Sequence, residues 1–559
     1  MPTVLVHLRN PLLLIAYLGS EFAAGINTPS ISVSCMDALS TGTVIHIAYI
    51  DGLVEVVVVS VQDIGKPDDM IDRDREWGSL VDFATGADPK LKLGILSGRR
   101  RHGKSFLLQH LTRRLGGLYI TAVEEDGRIA ALRRFSAAVA RHSGLPASAV
   151  EMNDWEPLLR SALAVAQRTA GVPLVVIDEL PYLLRHSPEI PGLLQHLYDD
   201  SQFGSPDAPG GRLILCGSAM SVMSELLSGT KPLRGRAVLD LRLAAFDFRD
   251  ARRLWGIEDP YTALLVHCVL GGAPGYRALA GDPVPTSEAG FADWVQRTVL
   301  DPALALYSRS ETEYLLREDP RITQRTLYYD ILSALAGGAS TASEVGSLLG
   351  RERSAMTHPL GVLQSTGYVT RSEDLLRPRK PTLTLIDPIV RFNQLIALPY
   401  AQLIDDGHAA EAWLAGLPTF HSKILGPHFE ELTRVWTRRF ARNEIPDLPV
   451  GPVGSAEVSD ARTRTKHEID VLALAPGERP QSPRSRIAVI GEAKATISPR
   501  GLADVERLEH IRTLLAEQGY QTQDAKLALF SLHGFDRNLT AAAAQRTDLV
   551  LVGLDTLYG

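Results

Sequence analysis

The spacing of apolar positions changes character along this chain. From Leu91 to Gly217, short apolar runs alternate with helical patterns. The run LKLGILS (91–97), Leu118–Ala122, Pro173–Ile177 and Leu213–Gly217 read as buried strands. Lys104–Leu115, Ile129–His142, Trp155–Arg168 and Gly192–Tyr198 have helical spacing. Strands alternating with helices predict a parallel, doubly wound α/β sheet. The Ser/Gly/Pro-rich stretch Ser201–Gly211 reads as a loop. Upstream, Met70 opens MIDRDREWGSLVDFA, where Ile71, Trp77, Leu80, Val81 and Ala84 follow helical spacing.

Residues 256–320 are mainly helical in pattern, with a GGAPGY turn at Gly271–Tyr276. An amphipathic helix at Leu327–Ala336 follows, then Thr341–Leu349, where Thr341 and Glu344 are spaced as a capping box, and Ser354–Thr366. Two short strands, Tyr368–Arg371 and Thr382–Ile386, flank a basic, Pro-containing turn. Three helices and a two-stranded wing describe a winged helix. Past residue 400 come a helix, His428–Arg442, and strands at Glu468–Leu474, Ile487–Glu492, Leu527–Leu532 and Leu549–Leu554, a separate α/β unit. Residues 1–69 differ: they hold the strand-like run Val54–Val61 and no clearly capped helix. They read either as a small accessory β region or as an extension ahead of a natural start at Met70.

Composition narrows the function classes. The chain has 559 residues, 45% hydrophobic and 22% charged, with a net charge of −7. That excludes a wholesale basic nucleic-acid coat and leaves room for a local basic patch. Cys35, Cys216 and Cys268 are far apart and follow no zinc spacing, which fits a reducing cytoplasm. The apolar run Leu12–Leu18 falls far short of the ~20 residues of a spanning helix, so no membrane association is expected.

One motif carries explicit chemistry. Gly98-Arg99-Arg100-Arg101-His102-Gly103-Lys104-Ser105 matches G-x-x-x-x-G-K-[ST], and it follows an apolar strand and opens a helix. The glycines let successive backbone N–H groups face phosphates, and the helix N-terminus adds partial positive charge. Lys104 is expected on the β- and γ-phosphates of ATP, and the Ser105 hydroxyl on Mg²⁺. About 75 residues on, the strand LVVI ends in Asp178 and Glu179. Asp178 would hold the Mg²⁺ shell, and Glu179 would orient or deprotonate the attacking water. Ser218 stands open between sensing the γ-phosphate and capping the next helix. Arg234 and Arg236 stand open between transition-state charge and a structural role.

A second constellation lies in the last unit. Asp470 in HEID and Glu492-Ala493-Lys494 fall on two expected neighbouring strands, and Glu492 and Lys494, two apart, share a face. This is the D…E-x-K arrangement of PD-(D/E)xK nucleases. Mg²⁺ held by Asp470 and Glu492 would activate water, with Lys494 steadying the developing charge. Glu430, in a helix, matches the helical Glu that often completes such a site. E-x-K is also common on exposed strands, and complete motifs persist in domains that only bind DNA.

With MIDRDREW, SGRRRHGKSFLL, VVIDELPYLL, LCGSAMSVM, PLRGR, GGAPGY and DPIVRF in view, the chain resembles the archaeal-type ATPase family. That family lies in the signal-transduction branch of the AAA+-related P-loop ATPases. The resemblance runs from about residue 70 to the C-terminus. It implies a P-loop ATPase core over 70–255, a helical lid over 256–320, a winged helix over 321–400 and a restriction-endonuclease-like domain over 401–559. In the expected winged helix, Ser354–Thr366 would be the recognition helix, with His358 and Gln364 reaching bases and Arg377–Lys380 contacting phosphates. Arg351, Arg353, Arg371, Arg377, Arg379 and Lys380 against Glu352, Glu373 and Asp374 give a local net of +3. The competing role is an internal joint or protein-binding module, and His358 before Pro359 predicts a kink. The leading expectation is an ATP-controlled metal nuclease acting on DNA. Behind it stand a regulatory DNA- or protein-binding switch without nuclease activity and, last, an oligomeric motor.

Overall fold

The computed structural model describes residues 43–50, 53–60, 64–168, 174–204, 208–378, 381–446 and 448–559. Cys35, the run Leu12–Leu18, Val61, Pro173, Arg379 and Lys380 lie outside the described residues. The chain divides into two compact units. One holds the chain up to Ser97, Lys104–Ser218 and Met223–Leu243; the other holds Gly98–Gly103, Ala219–Val222 and Ala244–Gly559.

The first unit contains an antiparallel hairpin, β1 (Thr43–Ile50) and β2 (Leu53–Ser60), and a parallel sheet. Helix α1 (Asp74–Thr85) starts later than the pattern from Met70 predicts, because Asp72 and Arg73 adopt positive φ (53° and 69°) and leave Ile71 outside it. Its Trp77, Leu80, Phe83 and Ala84 are buried. The sheet follows: β3 (Lys92–Ser97), α2 (Lys104–Leu115), β4 (Leu118–Thr121), α3 (Arg128–His142), α4 (Trp155–Arg168), β5 (Leu174–Asp178), α5 (Leu180–His186), α6 (Ile190–Phe203), β6 (Arg212–Gly217), α7 (Met220–Leu226) and β7 (Ala237–Arg242). The strand order is β4–β5–β6–β3–β7, all parallel. Helix α6 extends to Phe203, into the stretch read as loop from Ser201. Apolar clusters form on both faces of the sheet, one around Phe135, Trp155 and Ile177, the other around Leu80, Leu107 and Ile214. The buried Arg212 donates to the carbonyls of Phe83 and Gly86, at the electronegative end of α1.

The second unit begins with helices α8 (Phe248–Trp255), α9 (Pro260–Leu270), α10 (Gly275–Ala280), α11 (Glu288–Arg297) and α12 (Ser308–Glu318). Then come α13 (Arg325–Gly337), α14 (Ala342–Leu348), α15 (Arg353–Ser365) and the antiparallel pair β8 (Val369–Ser372) and β9 (Thr382–Leu385). The Thr341–Glu344 capping box is present. Helix α15 is continuous through the buried Pro359, where the sequence predicts a kink. Further helices follow: α16 (Pro388–Phe392), α17 (Ala401–Asp405), α18 (Ala409–Thr419), α19 (Gly426–Arg439) and α20 (Ala441–Glu444).

The chain closes with a mixed sheet in the order β10–β14: β10 (Val453–Asp460), β11 (Thr465–Leu474), β12 (Ile487–Lys494), then α21 (Leu502–Glu517), β13 (Lys526–Ser531), α22 (Arg537–Ala544), β14 (Leu549–Val552) and α23 (Leu554–Tyr558). The first three strands are antiparallel and the last pairings parallel. Helices α19 and α21 cover opposite faces. Phe429 and Trp436 of α19 cluster with Val471 and Phe530, while Leu508 and Ile511 of α21 cluster with Ile469 and Leu472.

The turn between β8 and β9 is part of this last layer. Leu375 and Leu376 are buried in its core, the Leu375 amide donates to Ser455 O, and Tyr520 OH donates to Leu376 O at 3.0 Å. Arg377 hydrogen-bonds Gln518 of α21. The expectation that Arg377 contacts phosphates is therefore revised: two buried leucines anchor the turn, and the guanidinium is spent on a neighbouring helix.

Candidate functional site

In the first unit, β6 runs between β3 and β5, so the residue after β6 stands between the ends of the other two. Such a crevice at the carboxyl ends of parallel strands is where α/β sheets bind ligands. Lys104 and Ser105 open α2, and Asp178 closes β5. Ser105 Oγ donates to Asp178 Oδ2 at 2.7 Å. Glu179 is held at φ 54°, a conformation that costs energy for a residue with a Cβ, and its Oε2 accepts from Ser218 Oγ at 2.9 Å. Its own amide donates to Asp178 Oδ1 at 2.9 Å. Ser218 thus pairs with the acidic residue expected to act on water.

The sequence reading missed Tyr119. Its hydroxyl hydrogen-bonds Asp178 Oδ2, and burial together with the Asp178 charge holds the phenol above its ordinary range. The signal was available: a hydroxyl-bearing residue on the strand beside the acidic one. Arg236 forms a two-point pair with Asp199 at 3.0 and 2.9 Å, and Arg234 donates to Gly229 O at 2.6 Å, so both brace the segment ahead of β7. A hydroxyl and a buried carboxylate meeting at 2.7 Å, beside a buried lysine, fit the oxygen ligands of Mg²⁺ and the phosphates of a nucleotide.

The loop Gly98–Gly103 belongs to the second unit, and its arginine side chains pair within that unit. Arg99 pairs with Asp387 at 2.6 Å and lies 4.2 Å over the Tyr368 ring. Arg100 reaches Glu318 at 3.5 Å and stacks 4.0 Å over Tyr314. Arg101 grips the buried Glu311 through two 3.1 Å bonds. The three guanidinium groups of the loop thus sit on three carboxylates. His102 turns its amide back to Arg99 O at 3.3 Å. Gly103 has φ 88° and Arg101 φ 70°, so the loop curls through two left-handed residues.

Two of the family-like motifs gain a physical reason here. In GGAPGY, a Cβ on Gly272 would collide with the Phe246 carbonyl, and the Gly275 amide donates to Arg101 O at 2.9 Å. In DPIVRF, Asp387 both caps α16, accepting from the Val390 amide at 2.9 Å, and binds Arg99. Arg391 meets His428 at 2.9 Å, and His428 meets His267 at 2.8 Å.

The carboxylates of the last sheet also come together. Val471 pairs with Gly491 in antiparallel register, so Asp470 and Glu492 each adjoin that pair. Between Gly454 and Ala456 the β10–β11 register shifts, so Asp470 and Val471 oppose a single residue, a bulge that re-aims Asp470. Asp470 Oδ2 accepts from the Ala493 amide at 2.9 Å. Glu492 Oε1 pairs with Lys494 at 2.5 Å and with Arg507 of α21. Its Oε2 is buried with no hydrogen-bond partner among the described residues. Burial raises the Asp470 carboxyl, and the Glu468 charge adds to this. Burial, then the Asp470 charge, pushes Glu430 up to about 7. All four sequence-chosen residues thus share one electrostatic neighbourhood, and Arg507 is the member the sequence reading missed. A buried carboxylate oxygen without a hydrogen-bond partner among the described residues, with the acidic Asp470 and Glu430 nearby, leaves an oxygen donor for a divalent cation.

No family model matches the chain. An uncharacterised protein of Methanocaldococcus jannaschii is 23% identical over 317 residues, 56% of this chain. The match spans 66% of that protein, just under two thirds of its length. Among solved structures, the Walker-type ATPase PABY2304 of Pyrococcus abyssi has TM-score 0.43 and 20% identity, covering 58% of this chain and 96% of that one. The Aeropyrum pernix ORC2 protein in ADPNP and ADP complexes has TM-score 0.43 and 15% identity, covering 64% and 98%. The Aeropyrum pernix ORC1 protein in complex with DNA has TM-score 0.31 and 17% identity, covering 60% and 95%. At such scores the chemistry of this chain is carried by its own residues.

Proposed function

We propose that this chain is an ATP-binding and ATP-hydrolysing switch that acts on DNA, with a metal-dependent nuclease in its last domain. The observation that carries the ATPase reading is the linked set Ser105–Asp178–Glu179–Ser218, with hydrogen bonds of 2.7 to 2.9 Å. Lys104 neutralises phosphate charge, and Ser105 and Asp178 hold the cation. Glu179 takes the proton of the attacking water, while Ser218 fixes its carboxylate. Mg²⁺, when bound, supplies Lewis-acid stabilisation of the transferring phosphoryl group.

The switch reading rests on the arginine pairs. A phosphate that reorders the backbone of Gly98–Gly103 draws Arg99, Arg100 and Arg101 against Asp387, Glu318 and Glu311. It thereby acts on α12 and on the start of α16, inside the same compact unit. The helices α13–α15 with β8 and β9 serve as a winged helix. Arg351, Arg353 and His358 are exposed there for nucleic acid, and Gln364 is half-buried.

The nuclease reading rests on Asp470 and Glu492 each standing next to the Val471–Gly491 pair of adjacent strands, with Lys494 on Glu492 and Glu430 close to Asp470. Asp470 and Glu492 hold the cation, Lys494 steadies the water or the developing negative charge, and Glu430 completes the acidic set. A second reading, a regulatory switch without cleavage, is favoured by one observation: Arg507 already occupies Glu492.

The test uses the full chain with plasmid DNA and Mg²⁺, with and without ATP. Expected are ATP turnover and nicking or cutting, the latter abolished in Asp470→Asn with turnover intact. Turnover without cutting in the wild type selects the second reading. Absence of turnover in the wild type overturns the ATPase assignment.

A further inference from the structure

We propose that Asp460, His467 and His510 form a transition-metal site of the zinc type on the last domain, separate from Glu492. The three residues come from three elements: the end of β10, β11 and α21. Their donor atoms all lie within 4.8 Å of one another.

Asp460 is built for the purpose. It is 3% exposed, and its Oδ1 accepts from the amides of Arg462 at 2.7 Å and Thr463 at 3.3 Å. That fixes the carboxylate and leaves Oδ2 facing His510 Nε2 at 3.3 Å. Two ligands held tetrahedrally at the usual zinc bond lengths sit about 3.3–3.4 Å apart, so this pair already spans one ligand edge. The His467 and His510 rings meet nearly at right angles, 79°, with centroids 5.3 Å apart, so both can aim a nitrogen at a common point. Among the described residues, the His467 ring hydrogen-bonds through Nε2 with Thr465 Oγ1 at 3.3 Å.

The neighbouring cations do not occupy the spot. Arg462 pairs with Glu517 at 2.7 Å, and Lys466 with Glu457 at 3.2 Å. Two imidazoles and one carboxylate select a borderline metal over Mg²⁺ or Ca²⁺, which want oxygen. The His510 side chain is 48% exposed, so solvent can supply the fourth position.

The site has a structural consequence. His510 and Arg507 are one helical turn apart on α21, so a metal on His510 pins the turn that places Arg507 on Glu492. The proposal itself stands whether or not the Glu492 cluster cuts DNA.

The test is a Co²⁺ titration of the full chain after chelator treatment, read by visible absorption and followed by Zn²⁺ displacement. Expected is one Co²⁺ with tetrahedral-type bands, displaced by one Zn²⁺. Asp460→Asn and His510→Ala should weaken binding at least tenfold and lose the bands, whereas Asp470→Asn should leave the tetrahedral-type bands unchanged. Asp460→Asn keeps the amide-accepting oxygen, and circular dichroism checks folding of each variant. Stoichiometric Co²⁺ binding unchanged in His510→Ala, or no stoichiometric metal in the wild type, overturns the site.

Discussion

Two pairs of carboxylates, Asp178–Glu179 and Asp470–Glu492, are fixed by strands of two different sheets, yet their partners differ in kind. Among the donors to Asp178 and Glu179 are neutral groups: Ser105, Tyr119, Ser218 and a backbone amide. Glu492 is matched by cations, Lys494 and Arg507, on one oxygen, and its other oxygen has no partner among the described residues. Hydroxyl partners orient a carboxylate without cancelling its charge, so the first pair is ready for a cation. Cationic partners cancel charge, so at the second pair a metal ion competes with Arg507. The three loop arginines complete the contrast: each already has a carboxylate, so their role is to position the loop.

The sharpest break would come at the first pair. Lys104→Ala should lower ATP turnover by roughly a thousandfold, about 4 kcal/mol, measured as phosphate release. A loss under tenfold would mean that Lys104 does not stabilise the transferring phosphate. Asp470→Asn should cost a comparable factor in DNA cutting by the full chain, with phosphate release unchanged. Equal losses in both assays would show that the two pairs are not separate sites.

That pairing of sites was only partly legible in the sequence. Lys104–Leu115 and Trp155–Arg168 emerge with the predicted boundaries because helical periodicity is a local property. Asp470 and Glu492 were found because neighbouring strands bring them together. Strand β7 was missed: its burial alternates, and Asp240 and Arg242 break the apolar run. Strand β10, VGSAEVSD, was hidden for a similar reason. The pairs Arg99–Asp387 and Arg507–Glu492 depend on contacts that no local pattern records. Leu375 and Leu376 looked like part of a turn because their burial is supplied by strands some eighty to a hundred residues on.

A third buried cluster extends the contrast to imidazoles matched by a cation. His267 and His428 meet at 2.8 Å with their rings tilted by 46°, beside Arg391, and burial first, then the Arg391 charge, depresses both imidazoles, His267 from 6.5 to about 4. A depressed folded value means that stability is fully present above the unfolded value near 6.5. It is lost as pH falls through the folded value. The expected loss between pH 6.5 and 4 is of order 3 kcal/mol, read from denaturant midpoints. His267→Asn should flatten that slope. A slope identical to the wild type would show that the acid sensitivity lies in other groups.

The smallest effect, at Arg507, separates the two readings of the second pair most directly. Arg507→Gln removes one cation from Glu492 and leaves Lys494 in place. The Arg507 side chain is 37% exposed, so solvent screens its pairing and limits the gain to about 1 kcal/mol. Mg²⁺ affinity of the nucleotide-free chain, measured calorimetrically with the Asp470→Asn chain as the blank for this site, should therefore rise about fivefold. Mg²⁺ is the right probe because its preference for oxygen keeps it off the His467–His510 pair. Unchanged affinity would mean that Arg507 does not compete with the metal. It would then remain as a fixed partner of Glu492, and the contrast between neutral and cationic matching would lose its functional meaning. A rise in affinity without faster cutting would instead mean that Arg507 also serves the reaction, holding charge that the bound metal alone does not.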